Sequence, residues 1–544
     1  MRLKANSTEQ KLRGGYYTPE RIADYIIRWA FSGDQLLKTV LEPSCGDGVF
    51  LESLISNTNP NAIECTAVEL IETEAEKSRQ KVSNIPTFEV INDDFYSVFE
   101  NDLVHKKYDL VVGNPPYIRY QYLTPEQRET QARILVANGM KSNKLINSWV
   151  SFLVACVSVL NKNGKIGMVL PAELLQVAYA EDLRLFLVNN LSKITVITFE
   201  ELVFPDVQQE IVLFLGEKNP DEEQGQINIV QLMNLECLEN NGFDHEYKPV
   251  EHNSGKWTKY FLSNDEICLV NRIQEDSRFI RFSDISVVDV GITTGGNEYF
   301  SVSKNVVEKY GLQDIVLPLI GRSAHSKGLY FTYEDWQDNV NKGLRAHLIY
   351  FPDIPFEEYP EGYKEYIRYG EEIGINKGYK CSIRDRWYRI PSVWAPDAFF
   401  LRRNNSFPKF VLNSINAVST DTMHRVRFKN DIDRDRALLS YYNSITFAFT
   451  EIEGRSYGGG VLEVLPGEVE RIILPSLQEL DELTLRSLIT KIDKVIRKNK
   501  PIEPILDEVD QVILVNFLGI DASDVKKFRN IWKKLMKRRH TRKK

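Results

Sequence analysis

The sequence has few features that would place the chain in a membrane or outside the cell. Its longest apolar stretch, Trp149–Leu160, contains two serines and is too short to cross a bilayer. The N-terminal segment has no basic region followed by an apolar one, which argues against a secretory signal. The 6 cysteines form no C-x-x-C pair, which indicates a reducing compartment and argues against structural zinc. We therefore expect a cytoplasmic protein with no membrane partner and no metal.

An excess of basic residues is also lacking. The net charge of −8 argues against indiscriminate nucleic-acid binding, although a local basic cleft stays compatible with that total. No segment recurs at a fixed period, which excludes a solenoid. At 544 residues the chain exceeds one ordinary core, so we expect two or more domains.

The first half of the sequence contains a regular alternation of apolar strands and helical segments. Four short apolar runs carry this pattern: Val40–Leu41, Thr66–Val68, Phe88–Ile91 and Leu110–Val112. The alternation predicts an α/β fold with a doubly wound, mostly parallel, Rossmann-like sheet. Ligands bind at the carboxyl ends of the strands in such sheets.

Polar and glycine-rich clusters follow the first three runs. Pro43–Gly48 lets the backbone approach a ligand closely, although it is neither G-x-G-x-x-G nor a Walker loop. Glu69 ends the second run, where a ribose hydroxyl pair is usually held. Asn92–Phe95 offers an acid for an adenine amino group and a ring to stack on it. Both Asp93 and Asp94 suit the role of that acid.

The fourth run leads into Asn114-Pro115-Pro116-Tyr117, the most specific stretch of the chain. Its prolines lack amide hydrogens, and each proline favours extended backbone in the residue before it. The turn therefore offers an amide side chain, outward-pointing carbonyl acceptors and an aromatic ring. This set suits a planar amino group that is held by its hydrogens and stacked on its face.

A helix start precedes the first strand. Ile22, Tyr25, Ile26 and Trp29 recur at helical spacing, and we predict Thr18 as the N-cap with a proline at the first helical position. The free amides of a helix start suit a carboxylate or a hydroxyl.

Along the chain, the helix start comes first, and the three clusters, the Asn114–Tyr117 turn and, after a later strand, Phe204-Pro205 follow it. With these features in this order, residues 14–217 resemble the γ-class DNA methyltransferases, which are similar to the TaqI methylase. The resemblance implies that S-adenosylmethionine donates a methyl group to N6 of an adenine flipped out of the duplex. The implied catalytic and base-stacking residues are Asn114, Pro115, Pro116, Tyr117 and Phe204. The implied cofactor contacts are Tyr17, Thr18, Glu42, Pro43, Gly46, Glu69, Asp94 and Phe95.

The polar stretch that begins at Glu217 breaks the pattern of the first half. We therefore predict a catalytic domain over residues 1–217 and a linker over 218–255. Residues 256–475 alternate strands with aromatic and basic loops and predict a mixed α+β target-recognition domain. Residues 476–544 predict a C-terminal helical segment that frays into a basic tail.

Basic loops of the second half are candidates for DNA contact. Arg322, Arg386 and Arg455 each lie among small or aromatic residues, as phosphate-contacting loops do, although surface hairpins have the same composition. Gly291–Phe300 looks like the recurrent start of γ-class recognition domains. The tail Lys526–Lys544 has many basic residues and no acid, which suits either a DNA backbone or a solvated tail.

Other activities stay open on sequence alone. Glutamine-N5 protein methyltransferases share Asn-Pro-Pro-Tyr but are shorter, and cytosine-N4 methylation needs the same acceptors. A non-catalytic DNA-binding relic would have no reason to keep all of Glu42, Glu69, Asp94 and Asn114. The expected partners are double-stranded DNA and a separate cognate restriction endonuclease, and we expect a monomer in a bacterial or archaeal cytoplasm. With thirteen residues before Gly14, we expect no N-terminal nuclease domain.

Overall fold

The computed structural model describes residues 17–33, 36–144, 146–201, 203, 210–239, 246–250, 255–457 and 460–541. The chain divides into two compact units between Asn264 and Asp265. Among the described residues, no helix combines the length and the apolar character needed to cross a membrane.

One sheet of nine described strands organises the first unit, in the order β3-β2-β1-β4-β5-β7-β6-β8-β9. Strands β1 to β5 run parallel to one another, whereas β7 is antiparallel to both β5 and β6. The predicted doubly wound, mostly parallel sheet is confirmed. The strands are β1 Thr39–Glu42, β2 Glu64–Glu69, β3 Phe88–Asn92, β4 Tyr108–Gly113, β5 Leu160–Pro171, β6 Lys193–Phe199, β7 Ile211–Glu217, β8 Gln226–Leu232 and β9 Lys248–Pro249.

Helices connect these strands and bury their apolar residues. In the first helix, Ile22, Ile26 and Ala30 share one buried stripe. Helix Ser148–Ser158 is almost wholly buried, as its nearly continuous apolar sequence predicts. The helices of this unit are α1 Glu20–Phe31, α2 Val49–Asn57, α3 Glu72–Val82, α4 Phe95–Asn101, α5 Pro125–Ala137, α6 Ser148–Ser158 and α7 Glu181–Asn190.

The register of the parallel strands brings their carboxyl ends level. Glu42 lies opposite Ala67 on β2, two residues before Glu69, and Glu69 lies opposite Asn92 at the end of β3. On the other side of β1, Leu41 lies opposite Val111 of β4. The predicted clusters therefore lie along one edge of the sheet.

The predicted linker does not separate the two units. Strand β8 pairs with β6 in parallel, and β9 pairs with β8, so residues 218–255 contribute two strands to the first sheet. The division between the units falls at Asn264, later than either predicted boundary. The described part of 476–544 lies in the second unit together with residues 265–475.

The second unit combines several small sheets with helices, a mixed α and β architecture. Its sheets have the orders β10-β23, β11-β20-β16-β18-β14, β12-β15-β13-β19 and β17-β22-β21. The strands are β10 Phe279–Arg281, β11 Ser286–Val290, β12 Ser301–Val302, β13 Val316–Ile320, β14 Tyr330–Phe331, β15 His347–Ile349, β16 Ala398–Leu401, β17 Arg403–Asn404, β18 Phe410–Asn413, β19 Val418–Ser419, β20 Met423–Phe428, β21 Arg455–Tyr457, β22 Val461–Glu463 and β23 Ile473–Pro475. The helices are α8 Asn264–Glu275, α9 Phe282–Ile285, α10 Asn297–Phe300, α11 Lys304–Tyr310, α12 Tyr333–Asn341, α13 Glu361–Glu372, α14 Tyr379–Ser382, α15 Arg434–Tyr441, α16 Ser444–Glu453, α17 Pro466–Val469, α18 Glu482–Arg497, α19 Glu503–Val509 and α20 Ala522–Thr541.

The C-terminal helix is an integral part of the second unit. Arg539 forms an ion pair with Glu451 at 3.0 Å, with both side chains 2% exposed, and Arg529 pairs with Asp510 at 2.8 Å. The helix continues to Thr541, so the expectation of a frayed basic tail is wrong over the described residues. Because these ion pairs are buried, Arg529 and Arg539 have a structural role within the second unit.

Gly167, in the central strand β5, has no room for a side chain. A Cβ atom there would lie 2.3 Å from Cγ2 of Ile26 on α1. We predict that Gly167→Ala lowers the free energy of unfolding by roughly 1–3 kcal/mol, the usual cost of overpacking a core. Urea unfolding monitored by circular dichroism measures the change. Gly33→Ala is the matched control, because its Cβ would meet only Lys165 Nζ at 3.8 Å. Equal stability of the two variants would contradict this packing.

Candidate functional site

Glu42 ends β1 with a buried carboxyl group. Its side chain is 1% exposed, and neither carboxyl oxygen has a hydrogen-bond partner among the described residues. Burial raises the pKa of Glu42 well above its ordinary value, and the nearby acids Glu69 and Asp47 raise it further. A buried polar group without a partner is costly, so a group that donates a hydrogen bond to this carboxyl would stabilise the site.

The glycine turn after β1 is held by Glu69. One carboxyl oxygen of Glu69 accepts from the backbone N–H of Gly46 at 2.9 Å, and the other accepts from the N–H of Ile71 at 2.8 Å. Gly48 adopts a φ of 85°, where an added Cβ would lie 2.8 Å from Oγ of Ser78. Burial raises the pKa of Glu69, and its hydrogen bonds with backbone N–H groups oppose the rise. Glu69 therefore fixes the turn that lies beside Glu42.

The cluster after β3 is partly occupied by internal contacts. Asp94 accepts hydrogen bonds from the N–H of Tyr96 at 3.0 Å and from Nε2 of Gln127 at 2.7 Å, whereas Asp93 is exposed. The Phe95 ring is buried and stacks on Phe152 with ring centroids 4.4 Å apart. The expectation that this ring presents an open face to a ligand is wrong, because core aromatics cover it.

Two serines fix the backbone of the Asn114–Tyr117 turn. Oγ of Ser44 donates to the carbonyl of Asn114 at 3.0 Å, and Oγ of Ser148 donates to the carbonyl of Pro116. Ser148 also accepts from the N–H of Ile118 at 2.9 Å. The carbonyl of Pro115 lies between these two anchored carbonyls, and no hydrogen bond to it occurs within the described part of the chain. The turn therefore keeps one backbone acceptor for a ligand.

Close packing sets the position of the turn and of its ring. A Cβ on Gly113 would approach Cδ of Pro43 to 3.3 Å, so the ends of β1 and β4 touch at this glycine. The hydroxyl of Tyr117 donates to the carbonyl of Val169 on β5 at 2.9 Å. This hydrogen bond fixes the orientation of a partly buried aromatic ring next to Asn114.

Ser148 and Gln127 are site residues that sequence reasoning missed. Ser148 lies at the first turn of α6, thirty residues after Ile118, and no local pattern links the two. Gln127 closes a capping box with Thr124 at the start of α5, a pattern that predicts the helix but not its bond to Asp94. Only the tertiary structure identifies these two partners.

The remaining predicted residues of the first unit have different outcomes. Thr18 is buried and Tyr17 is about half exposed, directly before α1. Pro19, not Thr18, is the residue at the cap of α1, and no side-chain capping bond forms, so that prediction was one residue off. Phe204 lies outside the described residues.

The three candidate arginines of the second unit lie in unlike surroundings. Arg322 is exposed, and no hydrogen bond or ion pair of its side chain occurs among the described residues. Arg386 donates to the Ile354 carbonyl at 2.6 Å and pairs with Asp353 at 3.2 Å. Arg455 is mostly buried against Glu468 at 2.6 Å. The structure therefore gives Arg455 a packing role and leaves Arg322 open to solvent.

The chain matches two family models in succession. Residues 48–204 match the Eco57I restriction-modification methylase, and residues 254–514 match the C-terminal domain of the type II methyltransferase M.Eco57I. The type II methyltransferase M.AccI of Acinetobacter calcoaceticus is 24% identical over 519 residues, which cover 92% of each chain. M.HindII of Haemophilus influenzae is 28% identical over 382 residues, which are 65% of this chain and 67% of M.HindII.

A solved structure supports the same grouping at the level of fold. The type IIL restriction-modification enzyme MmeI, determined in complex with DNA, superposes with a TM-score of 0.56 at 12% identity. The superposition covers 92% of this chain and 73% of MmeI. The two family models and the similarity to M.AccI show that the chain belongs to the type II restriction-modification methyltransferases. The family predicted from the sequence is confirmed.

The buried carboxyl of Glu42 predicts a specific dependence of stability on pH. Because the folded state raises this pKa, its contribution is complete below the unfolded value of about 4.3 and is lost as the pH rises toward the folded value. Glu42→Gln removes that loss. We therefore expect the free energy of unfolding of Glu42→Gln to rise relative to that of the wild type as the pH increases from 5 to 8. These pH values lie about one unit or more above the unfolded pKa, where the wild type loses the contribution of Glu42.

Urea unfolding at several pH values measures this difference. Glu64→Gln, at the exposed start of β2, is the control and should follow the wild type at every pH. A constant offset between Glu42→Gln and the wild type across the range would show that Glu42 is already ionised when folded.

Proposed function

We propose that this chain is an S-adenosylmethionine-dependent DNA methyltransferase that modifies N6 of adenine on a base flipped out of the duplex. The observation that carries the proposal is the anchored turn Asn114–Tyr117 beside the carboxyl of Glu42, which has no hydrogen-bond partner among the residues that the structure describes. The first offers acceptors for an amino group, and the second offers an acceptor for a cationic ligand.

The residues at the strand ends fit the cofactor. S-adenosylmethionine supplies an electrophilic methyl group on a sulfonium when bound. The carboxyl of Glu42 suits the ammonium of its methionine part, and a cation there would bring the pKa of this acid down. Glu69 suits the ribose hydroxyls, and Asp93 or Asp94 suits the adenine amino group. Gly46 has open space around the position of its missing Cβ, which lets a ligand approach its backbone.

Other cofactor residues are assigned by resemblance. Thr18, buried directly before α1, and Tyr17 beside it would border the methionine part. Pro43 packs on Gly113 and so joins the glycine turn to the catalytic turn. Phe95 would act through its backbone or by supporting the pocket floor, since its ring is covered by Phe152.

The Asn114–Tyr117 turn explains how an adenine amine becomes a nucleophile. The lone pair of this nitrogen is delocalised into the ring, and it is regained when both hydrogens are held out of the ring plane. The Asn114 amide oxygen and the Pro115 carbonyl are the two acceptors. Pro116 fixes the backbone, and Ser44 and Ser148 hold the flanking carbonyls, so little reorganisation is needed at the moment of reaction.

Base flipping brings the target to this turn, because the amine is inaccessible inside a duplex. Tyr117, oriented through Val169, provides one stacking face, and Phe204 would provide another by resemblance. Target recognition would lie in residues 256–475, most of which belong to the second unit. Of the three candidate arginines, Arg322 is the most accessible to DNA. Arg386 already forms an ion pair with Asp353.

The DNA complex of MmeI and the similarity to M.AccI favour DNA over a protein glutamine as substrate. Cytosine-N4 is the second candidate target, since it needs the same acceptors. A cognate endonuclease as partner, a monomeric state and a bacterial or archaeal cytoplasm complete the proposal.

Asn114→Ala tests the catalytic assignment. We expect single-turnover methyl transfer to fall by roughly 10²–10³-fold, the scale of losing one transition-state hydrogen bond. Cofactor binding measured by calorimetry should stay within a few-fold, because Asn114 contacts the amine. Asn138→Ala at the end of α5 removes the same side chain elsewhere and should keep the wild-type rate. An Asn114→Ala rate above a tenth of wild type would contradict the assignment.

Glu69→Ala tests the cofactor assignment. We expect S-adenosylmethionine binding to weaken by about 1.5–3 kcal/mol, the value of a hydrogen bond to a charged group. The chemical step at saturating cofactor should change little. Glu72→Ala, an exposed acid in the first turn of α3, is the control in the same titration. Unchanged affinity of Glu69→Ala would show that Glu69 only holds the glycine turn.

A further inference from the structure

The indole ring of Trp394 contacts the guanidinium groups of two arginines in the second unit. The guanidinium carbons of Arg425 and Arg427 each lie 4.2 Å from the centroid of the Trp394 ring. The two arginines are two residues apart on β20, so they project from the same face of the strand. Stacking on an indole is favourable for each guanidinium and restricts its motion.

The two arginines differ in what else they contact. Arg425 is buried and donates to the carbonyls of Val290 at 2.9 Å and Ser392 at 2.8 Å. Arg427 is exposed, and its side chain has no hydrogen bond or ion pair among the described residues. Arg368 of this unit is also exposed, but it pairs with Glu361 at 2.7 Å.

The charges around Trp394 favour an anion. Burial lowers the pKa of Arg425, Asp289 opposes this, and the charge of Arg427 lowers it further, so the two cations repel each other. Across the strand pair, Arg427 lies opposite Val287, which is exposed and uncharged. An anion bound at Arg427 would reduce the repulsion between the two arginines and would accept hydrogen bonds from the guanidinium N–H groups of Arg427.

We infer that Arg427, held in place by Trp394, contacts a phosphate of the DNA backbone. A planar guanidinium matches the geometry of a phosphate, and preorganisation by the indole reduces the entropy lost on binding. The inference rests on the proposed function, because it takes DNA as the ligand. It adds a positioning contact that neither the basic loops of the sequence nor the family matches indicate.

Binding to DNA at a series of salt concentrations tests the inference. The probe is a fluorescent mixed-sequence 30-bp duplex, a length of about three helical turns, with the full-length protein. We expect Arg427→Ala to weaken binding about tenfold, since it removes a charge-assisted hydrogen bond. The slope of log K against log salt should flatten by about 0.9, the value for one phosphate contact. Arg368→Ala removes an equal charge from a paired site and should leave the slope unchanged.

Trp394→Leu separates preorganisation from charge. It keeps Arg427, so we expect weaker binding with an unchanged salt slope, and a circular dichroism melt checks that the unit stays folded. If Arg427→Ala keeps the wild-type affinity and slope, or if Arg368→Ala lowers both equally, the inference is wrong. A changed set of methylated sites on genomic DNA for Arg427→Ala would also overturn it, because it would indicate base reading. Failure of the wild type to bind or methylate any DNA would instead contradict the proposed function.

Discussion

The parallel register of β3, β2, β1 and β4 is the constraint on which the candidate site depends. It places Glu42 opposite Ala67 and Glu69 opposite Asn92, and it aligns the end of β4 with the end of β1. A shift by one residue would turn each of these side chains to the opposite face of the sheet. Backbone pairing therefore brings together groups that are far apart in sequence.

The polar groups along that edge of the sheet differ in whether their hydrogen-bonding atoms have partners. The hydroxyls of Ser44, Ser148 and Tyr117 form hydrogen bonds that hold the candidate catalytic turn Asn114–Tyr117. Glu42 is instead buried with no hydrogen-bond partner in the described part of the chain, an arrangement that costs stability. This contrast is what physical chemistry expects where binding and catalysis need preorganised groups.

Local pattern predicted the first four strands, the clusters at their carboxyl ends and the turn after β4, because apolar runs and prolines act over a few residues. Local pattern gave wrong predictions where residues distant in sequence determine the surroundings of a side chain. The Phe95 ring looked available until Phe152 covered it, and Arg455 looked like a DNA contact until Glu468 paired with it. Strands β8 and β9 were read as a linker because they follow the polar stretch that begins at Glu217. Ser148 had no signal, since its partners lie thirty residues earlier in the sequence.

The identity of the methylated nucleoside tests the central claim most directly. DNA lacking modified bases would be incubated with the protein and S-adenosylmethionine carrying a deuterated methyl group, and then digested to nucleosides for mass spectrometry. The account predicts labelled N6-methyladenine. Labelled N4-methylcytosine would contradict the choice of base, and the absence of any labelled nucleoside under conditions where the protein binds the cofactor and DNA would contradict the proposed catalytic role of the Asn114–Tyr117 turn.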